Sequence, residues 1–210
     1  MKTNQEQLEA LQDIRQMMKQ SNRFLSLSGL SGIFAGIYAI IGAWAGHHII
    51  FGYNTYNRYE LPNTDYKDMV LRCIGICILV LGMSLITALI FSKRKAKKNG
   101  YKLFDHTALR LMINMLVPLM AGGLFCLALL YHGRGTVVFV GPVMLMFYGV
   151  ALVNGSKYTL HDIRYLGYLE IFLGVLSSFY IGFGLLFWTI GFGILHIIYG
   201  AIMWFKYDRK

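Results

Sequence analysis

The chain has 210 residues, of which 56% are apolar and 15% aromatic, while only 14% are charged and the formal net charge is +10. Soluble domains carry about 25% charged residues, so this composition excludes a soluble globular protein. It points instead to one multipass membrane domain with no room for a sizeable soluble one. Cys73, Cys77 and Cys126 all fall in apolar stretches, at spacings that do not suggest a disulfide framework.

Residues 1–23 are polar and mixed in charge, which argues against a cleaved signal peptide. Leu8, Leu11, Ile14 and Met18 recur at helical spacing, predicting a cytoplasmic amphipathic helix. An apolar span follows over about 24–51. It carries Ser28, Gly32 and Gly36 at steps of four, then Gly42 and Gly46. Such small-residue stripes let helices approach closely in lipid, so this span is expected to be central to the bundle or the seam of a homodimer. Its Gly29-Leu-Ser31-Gly32 matches the Gly-x-Ser-Gly string of rhomboid intramembrane proteases, but no His-x-x-x-Asn partner accompanies it.

The stretch from His47 to Asp68 reads as the first external loop, rich in Tyr and His and turning at Pro62-Asn63. His47 and His48, joined by His132 from the next external loop, are the weak candidates for a metal. An interfacial aromatic belt is the reading preferred here. A second span covers about 69–92 and ends on Lys93-Arg-Lys-Ala-Lys-Lys98, a topology signal that is also suited to anionic lipid. Nothing in the pattern calls for nucleic acid or a cofactor. The third span, about 107–131, contains Asn114 and Pro118; the fourth, about 136–155, contains Pro142 and Tyr148.

The last two spans, about 163–181 and 184–205, form a hairpin around Tyr180-Ile-Gly-Phe-Gly184. Each sets one ionisable residue between glycines, as Gly167-Tyr-Leu-Glu170-Ile-Phe-Leu-Gly174 and Gly193-Ile-Leu-His196-Ile-Ile-Tyr-Gly200. Glu170 and His196 fall at nearly the same depth, and the flanking glycines are expected to bring these two helices together at that pair. Residues 206–210 form a short cytoplasmic tail. With the N-terminus inside, only Arg58, Lys67, Arg72 and Arg134 lie outside, leaving 16 of the 20 Lys and Arg inside. The positive-inside rule thus selects an all-α six-transmembrane-helix bundle with both termini cytoplasmic.

Counting seven to nine residues from each cytoplasmic end reaches Ser31, Ser84, Asn114, Tyr148, Glu170 and His196. This predicts a polar layer about 10–13 Å deep, to which every helix contributes. A carboxylate within a span costs roughly 2.5–3.5 kcal/mol on insertion scales and needs a partner or a wet cavity. A carboxyl–imidazole pair is well suited to holding or passing a proton. Two ligands fall short of the three that a catalytic zinc site usually needs. Nucleotide-binding, zinc-protease and alcohol-phosphotransferase motifs are absent.

Asn154-Gly-Ser-Lys-Tyr-Thr-Leu-His-Asp-Ile-Arg-Tyr-Leu-Gly167 and Phe192-Gly-Ile-Leu-His-Ile-Ile-Tyr-Gly200, about the last quarter of the chain, resemble six-span bacterial inner-membrane proteins that have no assigned activity. The resemblance implies the same architecture and a multipass location in the cytoplasmic membrane, and it transfers no catalytic residue. The expected function is non-enzymatic, a binding or structural membrane protein built on Glu170–His196. A small proton- or cation-coupled transporter is the alternative, followed by a membrane-embedded hydrolase.

Overall fold

The computed structural model describes residues 28–53, 63–98 and 106–209, together with Leu11. The amphipathic helix expected within residues 1–23 otherwise lies outside the described residues. Among them the chain is helical, with no strand. Six helices follow in order: α1 Gly29–Tyr53, α2 Asn63–Lys98, α3 His106–His132, α4 Val140–Gly155, α5 Asp162–Phe179 and α6 Gly184–Asp208. Five of them are long and apolar enough to cross a membrane. The exception is α5, whose 18 residues include Asp162, Arg164 and Glu170. At 1.5 Å per residue it is about 27 Å long, close to the thickness of a bilayer's hydrocarbon core.

Two boundaries differ from the sequence reading. The external loop expected from His47 is helical at both ends, with α1 running through His47 and His48 to Tyr53 and α2 starting at Asn63. The basic run Lys93–Lys98, expected as a connector, forms the last turns of α2. Cations there complement the negative end of the helix dipole, so the helix has no electrostatic reason to stop earlier.

Polar side chains tie the helix ends together. At one end the Asp208 carboxylate accepts hydrogen bonds from the Ser28 hydroxyl (2.9 Å), the Gly29 N–H (2.8 Å) and the Lys95 ammonium (2.6 Å). The last helix thereby caps the first, satisfying a backbone donor that α1 cannot satisfy itself. Nearby, Asp162 accepts from Lys206 and Tyr207, each at 2.8 Å. At the opposite end the Arg134 guanidinium lies 4.7 Å from the centre of the Tyr66 ring. The α5–α6 turn also lies at that end, closed by Phe183 N–H to Tyr180 O (3.2 Å) with Gly182 at φ +98°. The start of α1 and the end of α6 therefore meet at one end of the bundle.

The glycines set which helices touch, and not in the pairing expected. A Cβ at Gly200 would fall 2.6 Å from Ile33 N and 2.7 Å from Gly29 O, and one at Gly36 would fall 2.5 Å from Gly193 O. The Gly32–Gly36 part of the α1 stripe is therefore filled by Gly193 and Gly200 of α6 in the same chain, Gly42 meets Val80 of α2, and nothing lies within 4 Å of a Cβ at Gly46. Gly167 packs against Gly149 of α4, and Gly174 against Met146 and Pro142 of α4. The hairpin glycines thus serve α4–α5 and α1–α6 contacts rather than closing α5 onto α6. Close backbone approach is the main packing force when lipid is as apolar as the side chains.

Outside this core, α2 packs on α1 and α3 on α4. Most of their large apolar side chains face outward, among them Leu71, Ile78 and Leu79 on α2 and Val117, Leu124 and Leu127 on α3. Two apolar clusters fill the interior. One gathers Leu152, Leu160, Ile163, Leu166 and Met203 near the Asp162 end. The other gathers Ala39, Ala43, Val80 and Trp188 towards the turn.

Candidate functional site

Between those clusters, α4, α5 and α6 bring Tyr148, Glu170 and His196 together. His196 Nδ1 lies 3.5 Å from Glu170 Oε1 and 3.0 Å from the Gly191 carbonyl oxygen, while Nε2 lies 2.7 Å from the Tyr148 hydroxyl. A carbonyl oxygen only accepts, so Nδ1 carries a proton. In the neutral ring Nε2 then accepts from Tyr148. Backbone and tyrosine thus fix both tautomer and orientation of the imidazole, and the carboxyl at 3.5 Å lies beyond hydrogen-bond distance. Tyr148 and Phe192 rings flank it at centroid distances of 5.4 Å and 6.0 Å.

Glu170 is 0% exposed, and neither of its oxygens has a hydrogen-bond partner among the described residues. An uncompensated buried polar group costs about 1–3 kcal/mol, and more if charged. The space for this carboxyl comes from Gly191, where a Cβ would fall 2.5 Å from both Glu170 Oε2 and Leu145 Cδ2. Gly191 lies in a widened π-helical segment, Thr189–Leu195, that interrupts α6. Such insertions re-aim side chains and are frequent at functional sites.

Three members of the expected layer lie apart from this cluster. Ser31 is buried in α1, and its hydroxyl donates to Ser28 O at 2.6 Å. That bond belongs to the helix start and makes no dyad with a histidine. Asn114 donates to Arg110 O of its own helix at 2.8 Å, and Ser84 is half-buried on α2. Equal depth does not give equal direction, and the structure records no hydrogen bond from these three to Tyr148, Glu170 or His196. The peripheral helices α2 and α3 turn little of their surface towards the core.

His47 and His48 are exposed on α1, stacked near Phe51 (5.9 Å) and against the edge of Trp44 (4.5 Å) respectively. His132 is exposed at the end of α3. No group of three metal-ligating side chains forms among the described residues. Sequence reasoning missed Gly191, Ser177 and Trp188. Their signals were present but unspecific: Gly191 precedes His196 by five residues, and Ser177 follows Glu170 by two helical turns.

No protein-family model matches the chain, and no curated protein or solved structure matches it. The fold and the site therefore carry the functional argument alone.

Proposed function

We propose that the chain is an integral membrane protein of the cytoplasmic membrane with six crossings and both termini in the cytoplasm. In this reading it binds a proton or a small cation at Glu170 without covalent chemistry. The distribution of Lys and Arg supports the orientation. The meeting of Ser28, Lys95 and Asp208 at one end supports an even number of crossings. The crossing of α5 rests on its charges: Asp162 and Arg164 lie at its end, leaving Glu170 as the one acid inside. Lys93, Arg94, Lys97 and Lys98 are exposed at the end of α2 and fit anionic lipid head groups.

The observation that carries the binding role is the wholly buried Glu170 carboxyl with both oxygens unpartnered. A carboxyl kept only to pin two helices would gain its stability from a direct hydrogen bond, and the 3.5 Å separation from His196 does not supply one. A bound proton or cation removes the charge that makes this burial costly. The test is thermal unfolding of the purified protein across pH and across monovalent and divalent chloride salts at constant ionic strength. Above the acid range in which Asp162 titrates, the wild type should shift its midpoint with pH or with one cation, and Glu170→Gln should lose that shift while Asn114→Ala keeps it. Identical profiles for wild type and Glu170→Gln would sink the reading.

Transport is the second reading, favoured by the π-helical segment opposite Glu170. A wide turn can return to α-helical geometry with a one-residue change of register, which would carry His196 about 100° around the helix. Reconstituted protein should then pass protons or the bound cation down an imposed gradient, and Glu170→Gln should not. Binding without flux would leave a binding protein.

A further inference from the structure

The charges of α2 fix its depth. Between Arg72 and Lys93 the helix runs through twenty residues without an acidic or basic side chain. At 1.5 Å per residue the two cations are about 31 Å apart along the axis, which matches the roughly 30 Å hydrocarbon core of a bilayer. Arg72 thus lies at the membrane boundary nearest the α5–α6 turn, at the level of lipid head groups. Its Nε–H donates to Asp68, one turn back, at 2.8 Å, and both side chains are exposed.

From this level an open groove of about 560 Å³ runs down the bundle between α1 and α2. Arg72 and Ile49 line one end, Tyr38 and Met83 the other, and every lining residue between them is apolar. From Arg72 to Met83 the helix rises about 16 Å, half the hydrocarbon core, so the groove is one leaflet deep. At its inner end the helices are tied together, with the Tyr38 and Thr87 hydroxyls 3.2 Å apart. Along it they touch at Gly42, where a Cβ would fall 2.5 Å from Val80 Cγ2, while nothing lies within 4 Å of a Cβ at Gly75. Glycine weakens a helix interior relative to alanine, and at Gly75 no close helix contact among the described residues offsets that. Its effect is to leave the groove unfilled.

We propose that this groove holds one phospholipid of the adjoining leaflet, with an acyl chain between α1 and α2 and a zwitterionic phosphoethanolamine head group on Arg72 and Asp68. The guanidinium keeps donors beyond the Nε–H given to Asp68, and its planar fork suits a phosphate. The carboxylate beside it repels a purely anionic head group and pairs instead with the ammonium. A choline head group has no N–H to donate and loses that bond. In a bilayer an acyl chain gains no hydrophobic energy from entering an apolar groove, so retention depends on fit and on the head-group bonds. The site is independent of Glu170, and it lies at the opposite membrane face from Lys93–Lys98.

The experiment titrates purified full-length protein in detergent with phosphatidylethanolamine, phosphatidylcholine and phosphatidylglycerol of identical acyl chains. Native mass spectrometry counts the lipids retained. Wild type should hold one phosphatidylethanolamine about tenfold more tightly than either competitor, a difference of ~1.4 kcal/mol. Arg72→Gln should weaken all three, about tenfold for phosphatidylethanolamine. Asp68→Asn should bring phosphatidylethanolamine down to the level of phosphatidylcholine. Gly75→Leu puts a side chain into the groove and should abolish retention, whereas Gly123→Leu, equally open but on α3, should leave it unchanged. Circular dichroism checks that each variant folds, and if Gly75→Leu does not, the Arg72 and Asp68 variants decide. Equal retention of the three lipids by wild type, a preference for phosphatidylglycerol, or undiminished retention in Gly75→Leu overturns the site. A lipid-free dimer that Gly75→Leu converts to monomer also overturns it, because the groove then holds a second copy of the chain.

Discussion

His196 is held from two sides before Glu170 is considered, by the Gly191 carbonyl at Nδ1 and by the Tyr148 hydroxyl at Nε2. Removing the hydroxyl in Tyr148→Phe leaves Nε2 as a buried acceptor without a partner. It should cost about 1–2 kcal/mol, read as a lower unfolding midpoint in detergent. Gly191→Ala places a methyl 2.5 Å from Glu170 Oε2. The same methyl falls 2.5 Å from Leu145 Cδ2, so both side chains must shift to admit it, and the cation or pH response should be weakened with the helices still formed by circular dichroism. A retained response in Gly191→Ala would show that the carboxyl has freedom this packing denies it. A further residue-scale effect lies at the end of α5. The hydrogen bond from Lys206 holds the Asp162 carboxyl below its ordinary range, helped by that from Tyr207. A carboxyl depressed in the folded state stabilises above its unfolded value of about 3.9 and loses that contribution as pH falls through the folded value. Unfolding midpoints recorded down an acid series should show this limb in the wild type and not in Asp162→Asn.

At the scale of elements, the glycines divide into those that hold helices together and those that do not. Gly200 has the backbone of α1 against it, so Gly200→Ala must push α1 and α6 apart and should cost about 1–3 kcal/mol. Nothing lies within 4 Å of a Cβ at Gly82 on α2, so Gly82→Ala should be neutral or stabilise by up to about 1 kcal/mol through helix propensity. Unfolding both variants in the same detergent gives the comparison, and equal effects would refute the assignment of α1–α6 as the close-packed pair. The spacing of these glycines was legible in the chain; their partners were not. A stripe at steps of four says that one face is smooth, whereas the neighbour that fills it depends on how all six helices are arranged. The hairpin pattern around Glu170 and His196 suggested that α5 closes on α6, yet those glycines are used on either side, against α4 and α1.

For the whole molecule, α1, α4, α5 and α6 form the packed centre, with α2 and α3 laid on α1 and α4 as flanking helices. In the proposed orientation, cysteines placed at Arg134 and Ile181 should react with an impermeant maleimide in intact cells. A cysteine at Lys157 should react only after permeabilisation, and the reverse pattern would invert the proposed orientation. The sequence by itself determined that this is a helical membrane protein, where its apolar helices run and that Glu170 and His196 share a depth. Those features depend on local composition and on helical rise, which are properties of single segments. Only the tertiary structure decided that Tyr148 joins the pair while Asn114 and Ser84 do not, that Gly191 makes room for the carboxyl, and that Ser177 and Trp188 are left unpartnered. Those depend on the rotation of each helix about its own axis and on which neighbour it meets. In an apolar solvent these choices are set by close packing between helices, which no single segment encodes.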